Sequence, residues 1–131
     1  FETHIEKGVP AEISTSQLYL REVLQNFITN AIKYTESGSV TVDVEQKKEG
    51  VISFSIIDTG IGLSISDQKK LFQKFFRSED YRTRKSSGTG LGLYITKKLS
   101  KILQADIEIK STLNKGSTFT INIPDLSNTA K

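Results

Sequence analysis

NFITNAIKYTESGSVTVDVEQKKEGVISFSIIDTGIG, residues 26–62, decides how the chain reads. Its first part closes an amphipathic helix in which Leu20, Val23, Leu24, Phe27, Ala31 and Ile32 recur at three- and four-residue spacing. Thr15 or Ser16 is placed to cap that helix, and Glu36-Ser37-Gly38 interrupts it, with Gly38 as a left-handed C-terminal cap. Val40, Val42 and Val44 then alternate with polar residues, Lys48-Glu49-Gly50 reverses the chain, and residues 51–58 return as a second strand. Upstream, residues 2–7 and 11–14 read as short strands broken by Gly8 and Pro10. Downstream, Ser66 or Asp67 begins a short helix bearing Leu71, Phe72, Phe75 and Phe76. RSEDYRTRKSSG, residues 77–88, has almost nothing to bury and reads as a lid-like loop. A helix over residues 89–103 follows, with Leu91, Leu93, Ile95, Leu99, Ile102 and Leu103 as its apolar set. A last hairpin pairs residues 105–111 with 117–123 around Asn114-Lys115-Gly116. Tight turns force antiparallel neighbours while helices interleave with strands. The expectation is an α/β two-layer sandwich, with a mixed sheet of about five strands and three helices on one face.

A length of 131 residues with 36% hydrophobic and 25% charged composition fits one soluble domain, expected over residues 1–125 with a polar tail at 126–131. The absence of cysteine excludes thiol catalysis and Cys-based zinc sites, and fits a cytoplasmic setting. Lys+Arg 18 against Asp+Glu 15 leaves +3, with the basic residues scattered along the chain, so no nucleic-acid surface is expected. A chain that begins at Phe1 and lacks Met reads as a domain of a larger protein, one whose parent could be membrane-anchored.

Three islands carry the chemistry. Asn26, Asn30 and Lys33 stack along one helix face beside the apolar stripe. Amide oxygens there are hard neutral donors suited to Mg²⁺ shared with nucleotide phosphates, and Lys33 adds phosphate charge; a solvated helix face is the plainer alternative. Asp58 ends an apolar strand directly before Thr59-Gly60-Ile61-Gly62, where glycine lets backbone approach a flat ligand and the carboxylate can accept from an exocyclic amine. The same letters also suit an ordinary Asp-Gly turn, or the DTG of a dimeric aspartic protease. Gly88-Thr89-Gly90-Leu91-Gly92 lies between the polar loop and a helix, where free amides and the helix dipole favour phosphate. Its G-x-G-x-G spacing fits neither a Rossmann fingerprint nor a Walker loop, though a flexible hinge would use the same glycines. Arg77 could swing to a terminal phosphate or simply complete a helix C-terminus. His4, the only histidine, has no catalytic partner at useful spacing.

With these residues in order, the chain resembles the ATP-binding catalytic domain of sensor histidine kinases, within the wider family of gyrase, Hsp90 and MutL. NFITNAIKY resembles the N box, DTGIG the first glycine box, LFQKFFR at 71–77 the F box, GTGLGL at 88–93 the second glycine box, and KGSTFTI at 115–121 a further motif. The resemblance implies that Asn30 coordinates Mg²⁺ on the phosphates of ATP, with Asn26 one turn away as a second metal and catalytic residue. Lys33 would contact phosphate and Tyr34 would pack near the base or ribose. Asp58 would bind the adenine amine with Thr118 in support, and Gly60 and Gly62 would shape the adenine slot. Gly88, Thr89, Gly90, Leu91 and Gly92 would hinge a lid and offer amides to phosphate, while Arg77 would approach the γ-phosphate. An amide at Asn26, where hydrolysing relatives carry Glu, is a poor base, which implies transfer of the phosphoryl group rather than rapid hydrolysis. The implied acceptor is a histidine on a dimerisation and phosphoacceptor domain of the same parent. From there the group would pass to an aspartate on a response regulator receiver domain, and the isolated domain would be monomeric. Thr15, where the family often has Asp, and Ser64-Ile65, in place of a proline, depart from the pattern without touching the proposed ligand. The competing readings are a non-catalytic nucleotide-sensing module and, on Asp58, an aspartic protease.

Overall fold

The computed structural model describes residues 2–5, 17–35, 37–48, 50–73 and 92–124. Five strands form one mixed sheet in the order β1-β2-β3-β5-β4. They are β1 (Glu2–Ile5), β2 (Val40–Lys48), β3 (Val51–Asp58), β4 (Asp106–Thr112) and β5 (Gly116–Pro124). β1 runs parallel to β2, and every other neighbouring pair is antiparallel. Among the described residues three helices, α1 (Gln17–Lys33), α2 (Ile65–Lys70) and α3 (Gly92–Ile102), complete the sandwich. The expected α/β class and mixed sheet of five strands are observed, as are both hairpins, and three helices fall among the described residues. The proposed strand at residues 11–14 and the polar segment at 77–88 lie outside the described residues.

Pleating sorts the strands into two faces. Val40, Val42 and Val44 of β2, Ile52 and Ile56 of β3, and Ile121 and Ile123 of β5 point to the helices and are buried. The opposite face carries Ser53, Ser55, Thr120 and Asn122, which satisfy one another: Ser55 and Thr120 hydroxyls meet at 2.9 Å, and Ser53 donates to Asn122 Oδ1. α1 lays Val23, Phe27 and Ala31 on the sheet, with the Phe27 ring 5.3 Å from that of Phe119. Ile32 was expected on this stripe but is 56% exposed. At about 100° per residue it turns away from the stripe beyond Ala31. Asn26, Asn30 and Tyr34 turn the other way, towards α3 and the hairpin of β4 and β5.

Three further boundaries differ from expectation. α1 ends at Lys33, with Tyr34 N–H closing the last turn on Asn30 O at 3.1 Å, so Gly38 is not its cap but part of the turn into β2. α2 is capped by Ser64, whose hydroxyl accepts from Asp67 N–H at 3.1 Å, rather than by Ser66 or Asp67. It closes at Lys70; Leu71 is buried beyond it, whereas Phe75 and Phe76 lie outside the described residues. On α3 the expected apolar residues Ile95 and Ile102 are 44% and 59% exposed. The line actually turned inward includes Thr96 and Ser100, which are fully buried and hydrogen-bonded to the Gly92 and Lys97 carbonyls. Small side chains there let α3 approach α1 closely. α3 closes in a Schellman arrangement, with Ala105 N–H on Ser100 O, Gln104 N–H on Lys101 O, and Gln104 at φ 58°.

The strap after β3 is wedged between α1 and the last hairpin. Ile61 N–H donates to Tyr34 O at 3.2 Å, and Asn114 N–H donates to Ile61 O at 2.6 Å. Gly60 and Gly62 are required here by backbone packing. A Cβ on Gly60 would lie 2.2 Å from Tyr34 O, and one on Gly62, whose φ is +69°, would lie 2.1 Å from Thr112 O. At Gly92 a Cβ would meet nothing within 4 Å. Gly62→Ala should therefore lower unfolding stability by about 2 kcal/mol or more, whereas Gly92→Ala should change it by less than about 1 kcal/mol. Urea denaturation of the two variants checks this; comparable losses would show that the strap is not sterically fixed.

Candidate functional site

A cleft, open at its mouth, lies between α1, the strap, the end of α2, the start of α3 and β5. Phe27, Ala31, Tyr34, Leu71, Leu93 and Phe119 make most of it apolar, while Asn30, Asp58 and Ser117 supply polar groups. That mixture of apolar and polar lining suits a flat organic ligand with a few polar groups.

Asp58 closes β3 in the interior half of the sheet and is 8% exposed. Gly60 N–H donates to its Oδ1 at 2.9 Å, and the Ser117 backbone N–H also donates to its carboxylate. Burial nevertheless pushes its pKa above the ordinary carboxylate value, with the two amide donors pulling it back down. Among the described residues no other carboxylate lines the cleft. A lone buried acceptor in an apolar slot selects a ligand with a matching donor, since one without it leaves the charge poorly satisfied.

Ser117 replaces Thr118 as the residue beside Asp58. The register sets Ser117 opposite Asp58 and Thr118 opposite Ile57, so the Thr118 side chain belongs to the other face of the sheet. The signal was available, because Ser117 is in phase with the inward Phe119, Ile121 and Ile123. Its hydroxyl meets Ser111 Oγ at 2.7 Å, and Ser111 Oγ accepts from Leu63 N–H at 2.8 Å, tying the cleft wall to the β4–β5 hairpin.

The other expected residues divide into three groups. Asn30, Tyr34, Asp58 and Gly62 share the cleft. Asn26 sits one turn before Asn30, and its Nδ2 donates to Thr96 Oγ1 at 3.0 Å, with Gly92 O at 3.4 Å, so it bridges α1 to the first turn of α3. Lys33 ends α1 outside the cleft lining, and Gly60 packs on the α1 terminus rather than on the cleft. Arg77, Gly88, Thr89, Gly90 and Leu91 lie outside the described residues, and Gly92 opens α3. Among the described residues no three His, Cys, Asp or Glu side chains gather to hold a metal. A metal here would depend on amide oxygen and on the ligand's own donors, the pattern Mg²⁺ adopts with phosphates.

Residues 15–127 match the family described as histidine kinase-, DNA gyrase B-, and HSP90-like ATPase. The chain is 35% identical to the autoinducer 2 sensor kinase/phosphatase LuxQ of Vibrio vulnificus, covering 95% of this chain and 15% of LuxQ. It is 39% identical to the signal transduction histidine-protein kinase BarA of Escherichia coli, covering 92% of this chain and 14% of BarA. The chain thus spans about one-seventh of these relatives. Full-length ShkA, solved in complex with AMPPNP, superimposes with a TM-score of 0.82 at 28% identity, over 94% of this chain and 25% of that one. The mycobacterial sensor histidine kinase MprB, at 24% identity and a TM-score of 0.78 over 94% of this chain and 79% of that one, shares the fold. With its fold, its buried Asp58 and the match over residues 15–127 in agreement, the chain belongs to the histidine kinase-, DNA gyrase B- and HSP90-like ATPase family.

Proposed function

We propose that this chain is the ATP-binding catalytic domain of a sensor histidine kinase, which presents the γ-phosphoryl group to a histidine on a dimerisation and phosphoacceptor domain of its parent. The observation that carries the reading is the buried Asp58 carboxyl group facing an apolar slot whose lining also includes Asn30. The slot accepts the adenine between Phe27, Tyr34, Leu63 and Phe119, and Asp58 takes the exocyclic amine while Ser117 steadies it. ATP fits the donor set from one end of the cleft to the other. Asn30 would offer its amide oxygen to Mg²⁺, which would neutralise phosphate charge when bound, and Asn26, one turn along the same flank, is assigned as the second amide of that metal site. Lys33, Arg77 and the segment Gly88-Thr89-Gly90-Leu91-Gly92 are assigned to phosphate through the family motifs alone.

In this reading the chain's own residues bind and orient the nucleotide and keep water from it. No described cleft residue is a base suited to activating water: Asp58 is engaged by two amides and Asn26 is an amide. That favours transfer to an acceptor over hydrolysis. His4, on the edge strand with Nε2 3.3 Å from Glu2, is no acceptor for this site, so the histidine comes from another domain of the parent. A receiver domain of a response regulator is the next acceptor. No described helix is long and apolar enough to cross a membrane, and we place the domain in the cytoplasm, with any membrane anchor in other parts of the parent. The isolated domain is taken as monomeric, without a nucleic-acid partner.

Thermal unfolding tests the site directly. At a hundredfold excess of Mg²⁺-ATP over Kd, binding should add about 2.7 kcal/mol of stability and raise the midpoint by several degrees. Asp58→Asn should abolish that shift, and a full shift in the variant would mean the base is bound elsewhere.

Proton linkage gives a second check. A raised carboxyl pKa means the folded state binds the proton more tightly, so this group's contribution is largest in acid and is lost as pH rises through the folded value. The stability of the nucleotide-free wild type relative to Asp58→Asn should therefore decline from the ordinary carboxylate range towards neutrality. ATP affinity should move the opposite way, weakening as acid protonates the acceptor. A flat stability difference across that range would remove the buried-charge argument.

Asn30→Ala should narrow the gap between ATP affinity in Mg²⁺ and in EDTA. Calorimetry showing the wild-type gap in the variant would take the metal away from Asn30.

A further inference from the structure

Thr96 is fully buried at the contact of α1 and α3, four residues into a helix whose other inward side chains are mostly apolar or small. Its hydroxyl donates to Gly92 O at 2.8 Å, which already satisfies its single proton. Burial alone therefore gives Thr96 no need of a partner on α1, yet Asn26 Nδ2 approaches its Oγ1 at 3.0 Å and Gly92 O at 3.4 Å. Both atoms that meet the Asn26 amide can only accept. A carbonyl never donates, and a hydroxyl whose proton is spent on that carbonyl has only lone pairs left. The α3 side of Asn26 must therefore be its NH₂ group, and the amide oxygen is turned away from α3.

We infer that Thr96 is a positioning residue for the metal and phosphate end of the cleft. The one-way chain from Asn26 Nδ2 to Thr96 Oγ1 to Gly92 O fixes which end of the Asn26 amide faces α3, keeps the oxygen available to the magnesium–phosphate shell, and ties that choice to the first turn of α3. An unconstrained asparagine amide can rotate by half a turn and present nitrogen, a donor that repels a cation, at little cost. With Thr96 in place the flipped amide would set its oxygen against two acceptors. The inference rests on the assignment of Asn26 made under Proposed function and adds the residue through which that assignment is enforced.

Calorimetric titration of ATP in Mg²⁺ and in EDTA, on the wild type, Thr96→Ser, Thr96→Val, Asn26→Ala and the double variant Asn26→Ala/Thr96→Val, tests it. Thr96→Val keeps the shape but removes the acceptor. It should cut the ratio of Mg²⁺ to EDTA affinity on the order of fivefold, the worth of one hydrogen bond, while affinity in EDTA stays unchanged. Thr96→Ser should retain the wild-type ratio, and Thr96→Val should have no added effect once Asn26 is alanine. Equal loss in both conditions, an unchanged ratio, or a further fall in the Asn26→Ala background would overturn the inference. If Asn26→Ala itself leaves the ratio unchanged, the assignment of Asn26 fails first and Thr96 falls with it. A readout free of metal and nucleotide is the exchange of the Asn26 side-chain amide protons by NMR. They should be protected in the wild type and Thr96→Ser and exposed in Thr96→Val; unprotected protons in the wild type would refute the chain of bonds.

Discussion

A carboxylate withdrawn from water at the end of a central strand is the constraint around which the rest is arranged. Burial in an apolar surrounding pushes the Asp58 pKa up, and the amide donors that oppose that rise reach it from Gly60 two residues on and from Ser117 across the strand pair. Each donor requires a larger piece of architecture. The Gly60 amide turns back because the strap presses against the Tyr34 carbonyl, where a side chain would collide. The Ser117 amide is in place because β5, not β4, pairs with β3, in the register that sets Ser117 opposite Asp58. The termination of α1, the glycines of the strap and the reordering of the sheet thus meet at one functional group.

The helices divide the labour along a single flank. α1 uses Val23, Phe27 and Ala31 to hold itself on the sheet and the adjoining line of Asn26, Asn30 and Tyr34 to face the cleft and α3. This places polar groups beside the core without burying any of them unsupported, since the neighbouring surface is either cleft or α3 backbone. α3 reciprocates with Thr96 and Ser100, whose hydroxyls close on their own helix carbonyls and leave no unmet donor at the contact.

Period and punctuation made most of the fold legible in the sequence: valines at alternate positions for β2, a heptad-like run for α1, and turn residues for both hairpins. What escaped did so for identifiable reasons. The inward line of α3 was hidden because Thr96 and Ser100 are polar by type yet buried by position, while the apolar Ile95 and Ile102 face out. Hydrophobic periodicity cannot see a hydroxyl that satisfies itself on its own helix. The cap of α2 was missed by two residues because Ser64, Ser66 and Asp67 are all chemically able to cap, and only the backbone decides among them. At the site, Asn30 and Asp58, singled out by spacing on one helix and by position at a strand end, line one cleft together with Tyr34, which the family resemblance implied. Ser117 was not, because choosing it over Thr118 depends on strand register, a long-range fact. The strap glycines were assigned to a ligand when their tightest contacts are with the protein's own backbone.

These differences point to an asymmetry along the cleft. At the Asp58 end, the cleft wall is built from strand pairing and a glycine strap joined by backbone hydrogen bonds, to which the Ser111–Ser117 hydroxyl contact is added, and the paired backbone yields only if the sheet yields. At the Asn26 end, α1 meets α3 through side chains, with Asn26, Thr96 and the Gly92 carbonyl forming the polar link. Backbone-paired structure opens at a cost close to global unfolding, whereas a side-chain link of about 1 kcal/mol breaks and reforms readily. A cleft built this way is fixed on its Asp58 side while the start of α3 can adjust, which is the division of labour that the proposed function, one end of a ligand held and the other handed on, would require.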